Sequence, residues 1–365
     1  MLRKALVLSS LMACSMAASA APVSLPQDVT TALGSIWYLT NTGDTDGGAF
    51  SGSCQYTPGL TIQDARSANG DGDMYDNAFG IWVDNAVFVA PATVDLTGTT
   101  LTAGPVAMSG LDTTVQYHFS DVVEAVRSLV TFTNPSAGPI TVTVEVANNF
   151  GSDSNTTVVG TSSGDTAYTL ADSWVTTWDN NSEINTTAFA TPGATVMPDS
   201  YTQTVFNCAG PEGMGATFTL TVPAGATQSL VFFGGIAEID GTGDTDTANA
   251  MANAMMFESL STVDPSLTSD LTPVQISQIV NYVGEPVLIP DVPVPTLSQW
   301  ALFALMVLMG LVGFGAVRES GGGFGTKRKG TNVISRVTST LFYFAGSGNG
   351  KSSNCYGDSG GPAFI

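Results

Sequence analysis

The sequence predicts a mainly β protein, a β-sandwich exported domain closed by two short C-terminal helices, and three observations predict it. Short stretches alternate apolar and polar residues with a period of two. Turn clusters rich in glycine and proline separate them. Glycine is abundant, with 40 in 365 residues. Many short strands joined by such turns each bury one face, and two packed sheets bury all of them together.

Taken in order, Met1–Ala20 opens with Arg3 and Lys4, runs through apolar Ala5–Ala13 and ends on Ala18-Ser19-Ala20. This is the layout of a secretory signal peptide, cut by signal peptidase at a small-residue site. Leu11-Met12-Ala13-Cys14 also has the outline of a lipoprotein box. The exported region 21–284 is long enough for one large domain or two subdomains. Strands are expected at Gly80–Asp84, Ala86–Ala90, Thr114–Phe119, Leu129–Thr133, Ile140–Val146, Phe218–Val222 and Leu230–Phe233. In Ile140–Val146 the residues Ile140, Val142, Val144 and Val146 share a face, and in Thr114–Phe119 so do Val115, Tyr117 and Phe119. Turns are expected at Asn134–Pro139 and Pro223–Gly225. The spacing predicts helices over Thr247–Leu260 and Pro273–Val283, the second with Thr272 as N-cap and Pro273 at its first position. Residues 285–296, rich in proline, read as an extended stalk that includes the start of a sorting box.

Charge bounds the partners. Between residues 21 and 296 there are two basic side chains, Arg66 and Arg127, against 29 acidic ones. Such a surface excludes nucleic acid, whose phosphates require lysines and arginines. It suits solubility outside the cell, or cation binding. Cys54 and Cys208 are the two cysteines of this region, and export permits a disulfide between them.

Three constellations carry candidate chemistry. Asn69, Asp71, Asp73 and Asp76 place oxygens at alternate positions, as a calcium loop would, so calcium is the one cofactor the sequence offers. The stretch lacks the glycine and glutamate of an EF-hand loop, and a solvated acidic turn is the simpler reading. Thr-Gly-Asp-Thr-Asp occurs twice, at Thr42–Asp46 and Thr242–Asp246, with its aspartates as weaker cation candidates. Asp172, Trp174, Trp178 and Asp179 set two indoles beside two carboxylates, a composition suited to an extracellular glycan. Sheet packing accounts for the tryptophans more simply. His118 is the single histidine, which excludes a two-histidine metal site in this chain. It falls on the face opposite Tyr117 and Phe119.

Residues 297–317 carry no charge, and as a helix they span roughly the ~30 Å of a bilayer core. Trp300 falls at the outer interface and Arg318 closes the run. With Val294, Pro295, Thr296, Leu297, Ser298 and Gln299 before it, the stretch resembles the IPTL-CTERM sorting signal of Gram-negative bacteria. Val294 stands where the name-giving box has isoleucine. The resemblance implies a transmembrane helix in the inner membrane, cleavage near the box by an exosortase-type sorting peptidase, and transfer to the cell surface.

The basic tail 318–365 contains Gly357-Asp358-Ser359-Gly360-Gly361-Pro362, which resembles the nucleophile loop of trypsin/chymotrypsin-like serine proteases. The resemblance implies a partial trypsin-like β-barrel fragment, with Ser359 as nucleophile, Gly357 in the oxyanion hole with Ser359, and Asp358 in a structural role. No histidine stands in the alanine-histidine-cysteine setting that family uses for its base. Six residues follow Ser359, too few for the strands that wall the family's specificity pocket. The expected reading is an inactive remnant or a fused piece.

Together these observations predict an exported cell-envelope protein with a structural, adhesive or ligand-binding β domain. The alternatives are a serine endopeptidase acting through Ser359 and a secreted carbohydrate-binding or carbohydrate-active protein.

Overall fold

The computed structural model describes residues 20–43, 59–152, 155–180, 183–203, 213–240, 243–285, 333–338 and 341–345. The chain divides into two units, Met1–Val292 and Pro293–Ile365. The described part of the first is mainly β, with open sheets and a few short helices.

Its largest sheet has nine strands, all pairs antiparallel. These are β1 (Ala21–Val23), β7 (Val94–Thr97), β8 (Thr100–Met108), β9 (Leu111–Phe119), β10 (Ala125–Thr133), β12 (Thr157–Thr161), β13 (Val175–Trp178), β14 (Ile184–Ala188) and β17 (Thr227–Ala237). Their spatial order is β1-β7-β8-β9-β10-β17-β14-β13-β12. A five-stranded sheet contains β5 (Gly80–Val83), β6 (Ala86–Val87), β11 (Ile140–Asn149), β15 (Ser200–Thr202) and β16 (Gly213–Val222), in the order β15-β16-β11-β5-β6. A smaller sheet joins β2 (Gln27–Thr30), β3 (Ile36–Thr42) and β4 (Gly59–Arg66).

Alternation decides the packing. On β9, Leu111, Val115, Tyr117 and Phe119 are buried with Val126, Val130 and Phe132 of β10. These meet Val142, Val144 and Val146 of β11 and Phe218, Leu220 and Val222 of β16 in one core. The opposite face of the nine-stranded sheet is also covered. There Leu129, Val231 and Phe233 pack against Phe257, Leu260, Leu267 and Tyr282 of the segment after β17. The large sheet is therefore buried on both faces, which is why Leu230-Val-Phe-Phe233 reads as a continuous apolar run.

The helices depart from the sequence expectation. α1 occupies Gly243–Ala254, starting before Thr247, and a 3-10 turn at Met255–Glu258 replaces its expected end. α2 is confined to Pro273–Ser277, with a capping box between Thr272 and Gln275. The remainder of the predicted Pro273–Val283 helix is not helical, because a stretch of β17 left unpaired by β14 captures its backbone. Ser229 N–H donates to the Gln278 carbonyl at 2.8 Å, and Val280 N–H donates to the Ser229 carbonyl at 3.0 Å. Tertiary pairing overrode local propensity. The strand expected at Ala86–Ala90 stops at Val87, since the Phe88 carbonyl turns to accept from Leu60 N–H.

In the second unit, β18 (Val333–Thr338) and β19 (Leu341–Ala345) form an antiparallel hairpin. These are the strands among the described residues of this unit, and the expected trypsin-like barrel fragment finds no support in them. Gly357, Asp358 and Ser359, the span 297–317, and Cys54 with Cys208 lie outside the described residues. Among the described residues no helix is long and apolar enough to cross a membrane.

Candidate functional site

A groove of about 770 Å³ opens at one end of the large sheet, between the β9–β10 turn, the end of β17 and α1. The turn is made by Ser120, whose hydroxyl accepts from the N–H groups of Val122 and Val123, both at 3.0 Å. It lifts Val122 out, 62% exposed, and directs Glu124 into the groove. The Glu124 carboxylate accepts from Ala68 N–H at 2.6 Å, tying this turn to the one that follows β4. The α1 wall has helical periodicity, with Asp246, Asn249, Ala250, Asn253 and Ala254 all lining the groove. Their spacing places them on a single face. Phe257, Asp264 and Pro265 line it beyond α1, and Gly235, Glu238 and Asp240 supply the side along β17.

Five acidic residues line this space, Glu124, Glu238, Asp240, Asp246 and Asp264, and among the described residues no lysine, arginine or histidine does; Asp246 is itself buried, and the Asp264 carboxylate accepts from Ser266 N–H and the Ser266 hydroxyl. Burial raises the Glu124 pKa above the usual carboxylate range, and the negative charges of Glu238 and Asp71 raise it further, against the Ala68 hydrogen bond that lowers it. The groove is a concave anionic surface with an apolar component.

Of the predicted calcium group, only Asp71 approaches this site. Its Oδ2 accepts from Ile239 N–H at 2.8 Å, just beyond Glu238. Asn69 Oδ1 turns inward to Ser67 and to Asp71 N–H, closing its own turn. Asp73 lies at φ 66°, with its carbonyl against Gly151, and Asp76 N–H donates to Asn149 at 3.1 Å. Among the described residues no three acidic, histidine or cysteine side chains gather as a metal ion requires. Asp244 and Asp246 fall in the first turn of α1, where the helix dipole favours acids.

The tryptophan–carboxylate set has partners within the fold. Asp172 is fully buried and organises the loop before β13, accepting from Ser163 N–H, Thr169 N–H and the Thr169 hydroxyl, each at 2.9 Å. Burial alone would raise its pKa, but these bonds outweigh it and hold the carboxyl below its usual value. Asp179 accepts from Glu183 N–H at 3.0 Å in the β13–β14 connection. Trp174 sits in the outer core. The Trp178 ring lies so close to Gly243 that a Cβ there would stand 2.0 Å from it.

A second polar cluster escaped the sequence reading. Arg127 is 0% exposed on the outer face of β10, directly across from His118 on β9. Its guanidinium donates to both Asp270 oxygens, at 2.6 and 2.9 Å, to the Leu267 carbonyl at 2.6 Å, and to Gln116. His118 Nδ1 pairs with the Thr100 hydroxyl at 2.7 Å and Nε2 with the Ser266 carbonyl at 2.8 Å. Burial lowers the His118 pKa, Asp270 raises it and Arg127 lowers it again. The one sequence signal was Arg127 itself, a cation inside an apolar strand.

The comparisons agree with part of this picture. Residues 292–319 match the IPTL-CTERM motif, so the chain carries the signal of an exported protein sorted to the cell surface. No curated protein matches the chain in sequence. Among solved structures, a protein of the human microbiome assigned as a kojibiose phosphorylase is similar with a TM-score of 0.39 and 9% identity. That match covers 63% of this chain and 33% of the other, so the chain spans about a third of its length. A galactose mutarotase-like protein from Lactobacillus casei gives a TM-score of 0.33 and 11% identity, over 54% of this chain and 99% of its own. The heparan sulfate lyase HepC from Pedobacter heparinus gives 0.33 and 11%, over 57% and 34%. Scores this low establish neither a shared fold nor a shared ligand.

Proposed function

We propose that this is an exported surface protein whose β domain, 21–284, is a ligand-binding module working through the acidic groove. Signal peptidase removes 1–20. The stalk 285–296 and the span 297–317 hold the chain in the inner membrane until an exosortase-type peptidase acts near Val294–Trp300. The tail 318–365 is then left behind. The observation that supports the binding role is the groove of about 770 Å³ lined by five acidic residues and, among the described residues, by no basic one. A protein with only a structural role has no reason to crowd like charges into a concavity, because each raises the cost of ionising the next.

The serine endopeptidase reading has no comparable support. The motif match ends at residue 319, and the single histidine is bonded at both ring nitrogens within the β domain. The glycan reading loses its platform, since Trp174 and Trp178 serve packing and neither lines the groove. Calcium is disfavoured as resident ion because the carboxylates do not converge.

The test is surface display. A full chain tagged after Ala21 is expected to be shaved from intact cells by an added protease. A variant carrying Pro295→Ala, Thr296→Ala and Trp300→Ala is expected to stay in the membrane fraction. A wild-type chain shielded from protease in intact cells would sink the sorting half of the reading. Fluorophosphonate labelling lost on Ser359→Ala would revive the endopeptidase.

A further inference from the structure

We infer that Tyr168 and Tyr201 form a site of oxidative cross-linking, where an activated peroxide joins their rings as a dityrosine and staples the β12–β13 connection to β15. The pair lies apart from the acidic groove, whose lining includes neither residue. Three features select this chemistry.

The first is the stack. The two rings lie with centroids 4.1 Å apart and planes 7° from parallel. Aromatic pairs favour offset or edge-to-face contacts at ~4.5–7 Å, so this pair is unusually close and flat. Phenol coupling builds its carbon–carbon bond perpendicular to both ring planes, because each bonding carbon turns tetrahedral. A parallel stack is therefore the approach geometry, and an edge-to-face pair is not. The other ring contacts of tyrosine among the described residues are with tryptophan or phenylalanine.

The second is placement. Tyr201 is half-buried in β15, the edge strand of the five-stranded sheet. Tyr168 is 2% exposed and lies in the connection from β12, the edge strand of the nine-stranded sheet. A small oxidant thus meets Tyr201 first, and Tyr168 is reached through the stack. Both segments are pinned. Residues 200–202 pair with β16, and Gln203 Nε2 donates to the Tyr168 carbonyl at 2.8 Å.

The third is the state of the hydroxyls. Both are buried with no hydrogen-bond partner among the described residues, which is costly for a polar group. Linked through their ortho carbons, the two phenols stand side by side and can bond to each other. Burial raises the Tyr201 pKa to about 12, so it is a neutral phenol near pH 7 and no charge pushes the rings apart. In the reaction each phenol gives up one electron and its hydroxyl proton. A Cε of one ring bonds to a Cε of the other, and each of these carbons passes its hydrogen to its own oxygen as a proton. The peroxide takes the two electrons and two protons and leaves as two waters.

The experiment treats the full chain, dilute in detergent, with hydrogen peroxide and a small haem peptide. Blue dityrosine fluorescence and tandem mass spectrometry read the product. The wild type is expected to yield a Tyr168–Tyr201 peptide pair lighter by two hydrogen atoms. Tyr168→Phe and Tyr201→Phe keep a ring in the stack but remove one phenol, and each is expected to abolish that product. Tyr38→Phe, which removes another half-buried tyrosine, is expected to leave it unchanged. The link closes a loop of about 33 residues, and by analogy with a disulfide of that span it is expected to raise the melting temperature by about 5–10 °C. Absence of the pair in the wild type, dityrosine persisting in Tyr201→Phe, or a greater yield of other tyrosine pairs would overturn the inference. An unchanged melting temperature in the linked chain would overturn the stapling role. None of these results depends on surface display or on the groove.

Discussion

Replacing Asp270 by alanine tests the polar cluster that bolts the segment after β17 to the large sheet. Arg127 is fully buried and places both terminal nitrogens on Asp270, whose side chain is 25% exposed. Removing the carboxylate leaves a guanidinium inside the protein with no counter-charge, and breaking a buried pair from one side costs about 3–5 kcal/mol. The low end applies, because Arg127 keeps the Leu267 carbonyl and Gln116 as acceptors and water can reach the vacated position. A loss of about 3 kcal/mol lowers the melting temperature by about 6–12 °C, at roughly 2–4 °C per kcal/mol for a domain of this size. Tryptophan fluorescence during heating of the full chain reads the shift. The double replacement Arg127→Met/Asp270→Leu removes both charges and is expected to recover most of the loss. A shift below about 2 °C in Asp270→Ala would refute the pairing, as would a double variant no better than the single one.

Other outcomes follow from the same structure. His118 has a lowered native pKa, caused first by burial, so the folded state binds fewer protons than the unfolded one. Its contribution is present above the ordinary histidine value of about 6.5 and is lost as pH falls from there through the lowered native value. His118→Gln is expected to flatten that part of a stability–pH curve, and an unchanged slope would reject the assignment. Gly151→Ala would set a Cβ 1.6 Å from the Asp73 carbonyl and is expected to cost more than about 4 kcal/mol. Gly138→Ala, with nothing within 4 Å, should stay within about 0.5 kcal/mol; urea titration of both variants checks the contrast. Asn281→Ala strips hydrogen bonds from Val231 N–H and from the Val231 and Phe189 carbonyls. It is expected to cost about 3 kcal/mol, whereas exposed Asn249→Ala should be near neutral.

Much of the fold was legible because period-two alternation is a local signal. Ile140–Val146 and Phe218–Val222 proved to be neighbouring strands, paired Ile140 to Val222, and their inward valines and phenylalanine meet in the core. What alternation could not show were strands without it, such as Ile184-Asn-Thr-Thr-Ala188. All five of those residues are buried, because sheet on one side and α1 or core on the other cover both faces. The helix at Pro273 is shorter than its pattern predicts for a related reason. Local caps identify where a helix starts, but Asn281 and Val280 were claimed by an unpaired stretch of β17 distant in sequence. The groove was invisible for the same reason. Glu124, Glu238 and Asp246 are far apart in the chain, and only the packing of α1 across the sheet end brings them to one space.

The same geometry bears on the serine motif at Gly357–Pro362. A serine hydroxyl needs a base to become a nucleophile near neutral pH, and this chain has one histidine. His118 Nδ1 is engaged by Thr100 and Nε2 by the Ser266 carbonyl. A ring facing a carbonyl at Nε2 carries its proton there, so Nδ1 is the acceptor and Thr100 already fills it. Freeing either nitrogen would strand Ser266 or Thr100 and expose the Arg127–Asp270 pair beside it. Burial lowers the basicity of the imidazole as well. The histidine is thus spent on holding the segment after β17 to the sheet, the same segment that forms the far end of the groove through Asp264 and Pro265. The part it plays among the described residues is structural, and a hydrolytic role for Ser359 would need a base other than this histidine.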